Sequence, residues 1–214
     1  MKNFINLYYD HFMLNRIQVK LIKNDLSNSE FEFLSDIIKS ENHESLLSSL
    51  SENTLKKYFE ILIKSKNIFL FFCEIDNKNV GYMVIANSPS HLINDFKILK
   101  FSIFFDLVLN FEIKALLNIL ISFFKLDLIF LSNKKTIINN NPNLSLLAII
   151  NEFQSKGIGK IFIEKVLDEY DFKNKFQKIT VETNNLRTEN FYKRKVDFIY
   201  LGKKIRLFKN LKVF

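Results

Sequence analysis

The segment that most constrains the fold of this chain is an apolar run that leads through a glycine-containing turn into a helix. Residues Leu144–Ile150 are nearly all apolar, which is typical of a strand buried on both faces. Gly157 and Gly159 follow, and apolar residues at helical spacing predict a helix from about Gly159 to Tyr170. The chain therefore places the end of a buried strand next to the start of a helix.

This strand–turn–helix unit has the chemistry of an anion site. The amides of a first helical turn have no intrahelical partner, and the helix dipole favours negative charge there. Glycines at 157 and 159 leave room for a ligand to reach those amides, and Lys156 and Lys160 add positive charge. The sequence predicts a phosphate-binding loop.

Two common phosphate motifs do not fit this loop. A nucleoside-triphosphate P-loop requires Gly where Gln154 stands and Ser or Thr where Ile161 follows Lys160. A dinucleotide-binding fingerprint requires a third Gly or Ala where Phe162 stands. The phosphate ligand is therefore of another kind.

Hydrophobic periodicity elsewhere predicts an α/β (α+β mixed sheet) class, with one central twisted mixed β-sheet flanked by helices. Ser27 and Glu30 form a predicted capping box at the start of the first helix, and Ser51 is the predicted cap of the second. A short helix is predicted over Glu189–Lys195. The predicted strands, besides 144–150, are 16–23, 68–75, 80–86 and 178–182, with two more within 198–214 around a turn at Gly202-Lys203.

The most apolar region, about residues 94–130, is predicted to be a helical insertion within the domain. Charged residues interrupt it, and its longest charge-free piece near the centre, Ala115–Phe124, is shorter than the roughly 20 residues that a spanning helix needs. Phe101, Phe104, Phe105 and Val108 fall on one helical face. We expect these helices to form core or an oligomer interface, such as that of a homodimer, and no membrane span.

Composition limits the compartment and the partners. The net charge of +8 attracts anions, but the basic residues are spread along the chain, which makes nucleic acid an unlikely partner. Cys73, the only cysteine, lies in an apolar strand and is expected to be a buried side chain in a reducing compartment, the cytoplasm. The three histidines have no ligand spacing, so no metal site is expected.

The phosphate loop resembles the acetyl-coenzyme A signature of the GNAT superfamily of N-acetyltransferases. The core of that signature is Gln/Arg-x-x-Gly-x-Gly/Ala, and Gln154, Gly157 and Gly159 stand at its three defined positions. A second element of the superfamily has an Asn six and seven residues before a Phe-Tyr pair. Asn185 has this spacing to Phe191-Tyr192.

The resemblance implies a single GNAT-like domain over residues 1–214 with acetyl-coenzyme A (acetyl-CoA) as cofactor. The loop amides would hold the diphosphate, while the strand end and Asn185 would contact the pantetheine arm. The cofactor residues assigned on this basis are Ala148, Ile149, Gln154, Ser155, Lys156, Gly157, Ile158, Gly159, Lys160 and Asn185.

The resemblance also implies the chemical step, direct attack of a neutral amine on the thioester. Tyr192 would be the general acid that protonates the departing thiolate, since a phenol with a pKa of about 10 is protonated at neutral pH. Many relatives carry a carboxylate base where this chain has Asn143. The resemblance therefore leaves the general base unassigned, and the candidates are Glu182, Glu152, Asp106 and a water relay. Glu182 is named with Tyr192 as the expected catalytic residues.

These features predict an acetyl-CoA-dependent N-acetyltransferase that acts on a primary amine of a small molecule, such as an amino sugar. Three other functions stay open from the sequence. They are a non-catalytic CoA-binding protein, a basic nucleic-acid-binding protein, and an acetyltransferase of protein lysines or N-termini.

Overall fold

In the part of the chain that the computed structural model describes, seven strands form one sheet. The structure describes residues 16–41, 45–88, 91, 99–109, 141–172, 179–183, 185–196, 198–199, 202–206 and 209–213. The strands are β1 (Ile17–Ile22), β2 (Ile68–Ile75), β3 (Lys78–Ala86), β4 (Asn143–Ile149), β5 (Thr180–Thr183), β6 (Gly202–Arg206) and β7 (Lys209–Val213). The α-helices are α1 (Asn28–Glu41), α2 (Glu52–Lys64), α3 (Lys100–Leu109), α4 (Ile158–Glu169) and α5 (Leu186–Lys195), with short 3-10 turns at Leu46–Ser49 and Asn151–Phe153.

The strand order is β1-β2-β3-β4-β5-β7-β6. Neighbouring strands run antiparallel except β4 and β5, which run parallel. The connection between these two strands contains α4, because a parallel pair needs a crossover. The mixed sheet with helices that the sequence predicts is confirmed.

Helices cover the sheet on opposite faces. Alternate residues of β2 separate the two sides, since Phe71 packs in the cluster that contains Phe162 of α4, whereas Phe72 packs in the cluster that contains Leu34 of α1 and Leu55 of α2. We call the first side the α4 face and the second the α1–α2 face. The end of β4 therefore has a helical layer on each side of it.

Two helix starts are as the sequence predicts. The Ser27 hydroxyl accepts from the Glu30 amide at 3.3 Å while the Glu30 carboxylate accepts from the Ser27 amide at 2.9 Å, which completes a capping box. The Ser51 hydroxyl caps α2 by accepting from the Thr54 amide at 3.3 Å.

Asp106 of α3 reinforces the second cap from outside the helix. One carboxylate oxygen accepts from the Ser51 amide at 2.9 Å and from its hydroxyl at 2.8 Å. Burial alone would raise the pKa of Asp106, but hydrogen bonds from Thr54 and Ser51 and the charge of Lys57 together lower it. Asp106 thus ties α3 to the start of α2.

Part of the predicted helical insertion is described as α3. Its apolar residues point both ways, because Leu107 is buried whereas Phe101 is 79% exposed and Phe104, Phe105 and Val108 are exposed too. The face that the sequence singles out is therefore the exposed one, and Ile103 packs against the core instead. Residues 110–130 of the insertion and 132–140 of the predicted loop lie outside the described residues. No described helix is long and apolar enough to cross a bilayer.

Some predicted boundaries were wrong for physical reasons. Asp76 and Asn77 both have positive φ (52° and 61°) and close a two-residue hairpin, so β3 begins at Lys78 and not at Val80. The Asn185 cap starts α5 three residues before the predicted Glu189. Gly202 opens β6 and is not a turn residue.

Gly81 allows β3 and β4 to approach closely. A Cβ at this position would lie 2.7 Å from the carbonyl oxygen of Ala148 and 2.4 Å from Cδ1 of Ile149. The first contact is with backbone, so the strand itself would have to move.

We expect Gly81→Ala to lower the free energy of unfolding by about 1–3 kcal/mol, as overpacking does. The melting temperature would fall by several degrees, measured by calorimetry. Gly159→Ala is the control, since its Cβ would make an ordinary contact with the Phe191 ring at 3.4 Å. Equal stability of the two variants would contradict the close approach.

We expect Asp106→Asn to destabilise the protein at neutral pH by about 1 kcal/mol, because it removes a charged acceptor. A lowered folded pKa stabilises only above the unfolded pKa of about 4, and the effect disappears as the pH falls through the folded value. Urea unfolding at pH 7 and below pH 4 measures this difference. Asp36→Asn on the exposed surface of α1 is the control, and a pH-independent loss would contradict the account.

Candidate active site

The two parallel strands separate soon after they pair. β4 and β5 are in register only at Asn143 with Thr180 and at Leu144 with Val181. At the next residue, Ser145, the β3–β4 ladder shifts register, since Val84 pairs with Leu146 and Ile85 with Leu144. Such a bulge bends a strand. Beyond Leu144 no described residue of β5 pairs with β4, so the two strands separate towards Ile149, and we call the space between their described residues the gap.

A polar cluster fixes the closed end of this gap. Asn143 is 7% exposed, and its side-chain amide donates to the Thr180 hydroxyl at 3.2 Å. The Ser145 hydroxyl donates to Asn143 Oδ1 at 2.8 Å. Asn143 is thus occupied in joining β4 to β5, and an amide is not a base.

The predicted phosphate loop lies at the open end of the gap. The first helical donors of α4 are the Lys160 and Ile161 amides, which bond to the Gly157 carbonyl at 3.0 and 3.1 Å. The amides of Gly157, Ile158 and Gly159 precede them at the positive end of the helix dipole.

A side chain would meet different conditions at the two glycines of the loop. Gly157 has φ 79°, a left-handed conformation that strains any L side chain. Gly159 lies where α4, β4 and α5 meet, with the Phe191 ring and the Ile149 side chain at 3.4 and 3.9 Å from where its Cβ would be. The structure therefore brings the loop, the end of β4 and α5 together, as the sequence motif requires.

The side chain of Gln154 contacts protein. Its amide nitrogen donates to the Ile149 carbonyl at 2.7 Å and to the Glu41 carboxylate at 2.5 Å. Its main-chain amide donates to the Asn151 carbonyl at 3.1 Å. Gln154 braces the turn between β4 and α4.

The remaining loop side chains surround the amides. Lys156 is exposed, with its Nζ 5.4 Å from the centre of the Phe153 ring. Lys160 Nζ lies 3.8 Å from the Glu164 carboxylate one turn along α4, which leaves it on the solvent side as a weak ion pair. Ser155 has φ 61°, and its hydroxyl accepts from Arg187 Nη2 at 3.5 Å.

Asn185 and Arg187 begin α5 on the other side of the gap. The Asn185 side-chain oxygen accepts from the Arg187 amide at 2.8 Å and so caps the helix. The Arg187 guanidinium reaches from this first turn to the loop at Ser155. Sequence reasoning missed Arg187, although a basic residue two positions after the motif Asn was a visible signal.

Tyr192 lies in the buried cluster on the α4 face and is 3% exposed. Burial raises the pKa of its phenol. The hydroxyl is therefore protonated at any physiological pH, as a general acid must be before it acts.

The three carboxylates considered as bases lie in different places. Glu182 is partly buried on β5, in register with Val213, and points to the face opposite the core residue Val181. Glu152 is exposed and lines a cleft of about 470 Å³ beside the β2–β3 hairpin. Asp106 is engaged at the start of α2, so its role as a base is disfavoured.

Cys73 is buried, and burial raises the pKa of its thiol to about 12. A thiol with this pKa is a core side chain and a poor nucleophile. Among the described residues, no group of three or more His, Cys, Asp and Glu side chains is arranged to hold a metal ion.

No protein-family model and no curated protein sequence matches this chain. Solved structures do match it at low identity. A spermidine N-acetyltransferase SpeG chimera from Vibrio cholerae and hSSAT has a TM-score of 0.56 and 12% identity, over 92% of this chain and 93% of that one. An acetyltransferase from Thermus thermophilus has a TM-score of 0.51 and 12% identity, over 92% and 94%.

A third match, PH1933 from Pyrococcus horikoshii OT3, has a TM-score of 0.51 and 16% identity, over 92% of this chain and 97% of that one. These likenesses span nearly the whole of each chain. The chain therefore shares the fold of these structures, two of which are acetyltransferases by name, and the fold that the sequence predicts is confirmed.

Proposed function

We propose that this protein is an acetyl-CoA-dependent N-acetyltransferase that acetylates a primary amine of a small molecule. The observation that carries the proposal is the gap between β4 and β5, which opens directly beside the first turn of α4. The gap offers the unpaired main chain of a strand to an extended ligand, and the helix start offers amides to an anion. Coenzyme A has both parts, a pantetheine arm and a diphosphate.

The residues present fit such a ligand. Gly157 keeps side chains away from the amides of Gly157, Ile158 and Gly159, which would hold the diphosphate. At the end of β4, the Ile149 amide would bond the arm, since the Ile149 carbonyl already accepts from Gln154, and Ala148 would line the arm beside it. Lys156, Lys160 and Arg187 lie around the loop and add positive charge.

The transfer needs a base, an acid and no covalent enzyme intermediate. The bound cofactor supplies an acetyl thioester. Glu182, directly or through water, would take one proton from the acceptor ammonium, and the neutral nitrogen would attack the thioester carbonyl carbon. As the C–N bond forms and the C–S bond breaks, the nitrogen would lose its second proton to water. Tyr192 donates its phenolic proton to the departing sulfur, and solvent restores that proton.

Net charge supports a choice among the acceptor classes. One matching structure is a spermidine acetyltransferase by name. A net charge of +8, however, repels a polycation and attracts an amine that also carries a phosphate. We therefore favour an amino sugar, free or nucleotide-linked, in a cytoplasmic protein. A thiol-release assay against amino sugars, nucleotide-linked amino sugars, polyamines and peptides tests this preference.

A non-catalytic CoA-binding protein is the second candidate. The observation that favours it is Asn143, which stands where many members of the superfamily carry a carboxylate and is engaged with Thr180 and Ser145. Coenzyme A binding without thiol release from any amine in that assay would favour this candidate.

We expect Gly157→Ala to weaken CoA binding by roughly tenfold, because a left-handed Ala costs about 1–2 kcal/mol and the loop amides must move. Isothermal titration calorimetry measures the dissociation constant. Gly159→Ala is the matched control, since that position has space for a methyl group and the signature accepts Ala there. Unchanged affinity in Gly157→Ala would place the diphosphate elsewhere.

We expect Tyr192→Phe to lower kcat by about 10²–10⁴-fold, the usual contribution of a general acid. The dissociation constant for CoA should stay within about twofold, because the ring and its packing remain. Steady-state kinetics at pH 7–8 together with calorimetry separate the two effects. A variant with wild-type kcat would exclude Tyr192 as the acid.

A further inference from the structure

The loop that leads into α4 is held by a residue far away in the sequence. Glu41, the last residue of α1, accepts from the Asn151 amide at 3.2 Å through one carboxylate oxygen. Its other oxygen accepts from the Gln154 side-chain amide at 2.5 Å. The same Gln154 nitrogen donates to the Ile149 carbonyl at 2.7 Å. A chain of hydrogen bonds therefore runs from α1 to the end of β4.

This chain of contacts joins the two layers of the protein. α1 packs on the α1–α2 face through Leu34, Ile37 and Ile38. The loop leads into α4 on the opposite face. Glu41 reaches around the end of β4 and fixes the loop at its start and near its middle.

Only a carboxylate can make both contacts. Its two oxygens are acceptors, and the two groups that face them are N–H donors. A Gln at this position would turn an NH₂ group towards one of the donors and lose that bond. A Glu side chain at position 41 can therefore accept from both donors, whereas a Gln side chain can accept from only one.

The location of this charge is otherwise unfavourable. A negative side chain at the C-terminal end of a helix opposes the helix dipole. It also lies close to a loop whose proposed ligand is an anion. Both electrostatic effects destabilise a charge at this residue, and the two hydrogen bonds to the loop offset them.

We propose that Glu41 is a positioning residue that holds the phosphate loop in its binding conformation through Gln154 and Asn151. This inference rests on the proposed function. It gives the motif residue Gln154 a bracing role, with the diphosphate bound by the main-chain amides that follow. Neither Glu41 nor Gln154 touches the reacting atoms.

The test compares Glu41→Gln with the wild-type chain. We expect the dissociation constant for CoA in calorimetry to rise roughly tenfold, as the loss of a charged hydrogen bond predicts. Glu52→Gln is the control, because Glu52 makes an exposed ion pair with Lys39 at 3.0 Å away from the loop. Its affinity should equal that of the wild type.

A second readout separates positioning from general damage. Acetyl-pantetheine lacks the diphosphate, so its kcat/KM should be the same in Glu41→Gln and wild type, while kcat/KM for acetyl-CoA falls. An equal fall with both thioesters, or unchanged CoA affinity, would overturn the proposal. A wild-type chain that binds no CoA would overturn the proposed function instead.

A second variant covers the case in which Glu41→Gln folds poorly. Gln154→Met removes the same contact from the loop side and should weaken CoA binding to a similar degree. In the double variant the two effects should not add, because both act through one hydrogen-bonded pair. Full additivity would show that Glu41 does not act through Gln154.

Discussion

The separation of β4 from β5 is the constraint on which the rest of the site depends. Two residue pairs hold the strands together at Asn143 and Leu144, and the bulge at Ser145 then turns β4 away. β3 pairs with the end of β4 on one side, but on the side that faces β5 no described residue continues the ladder, so main-chain groups there need another source of hydrogen bonds. The gap thus exposes main-chain groups of β4, and it is also the space in which a ligand could form hydrogen bonds to them.

The sequence predicted those features that depend on residues close together in the chain. The capping box of Ser27 and Glu30, the Ser51 cap and the glycine loop each need a few neighbouring residues in the right order. Their physics is local, because a free amide is satisfied by a side chain three positions away or left open by a glycine. Strand and helix identities were predicted well because they also depend on neighbouring residues. Their exact ends were not, because individual caps and turns shift them by a few residues, as Asn185 does at α5.

The contacts that the sequence did not reveal join distant segments. Asp106 reaches Ser51 across 55 positions, and Glu41 reaches Asn151 and Gln154 across 110 and 113. Such pairs are fixed by how the helical layers pack on the sheet, which no periodicity encodes. The insertion of β7 between β5 and β6 has the same origin. Asp106 illustrates this, since the sequence makes it a candidate base whereas in the fold it bonds to Ser51, the cap of α2.

In the proposed function, the gap would let an acid and a base in different environments act on one thioester. Burial on the α4 face raises the pKa of the Tyr192 phenol further above its usual value, so this group would enter the reaction as the protonated acid. Glu182 alternates with the core residue Val181 and so belongs to the other side of β5, where it is only partly buried. A ligand between the separated strands is reached from both faces of the sheet. If Tyr192 is the acid and Glu182 the base, as proposed, the acid would act from the buried side of the sheet, and the acceptor amine with its base would enter from the more exposed side.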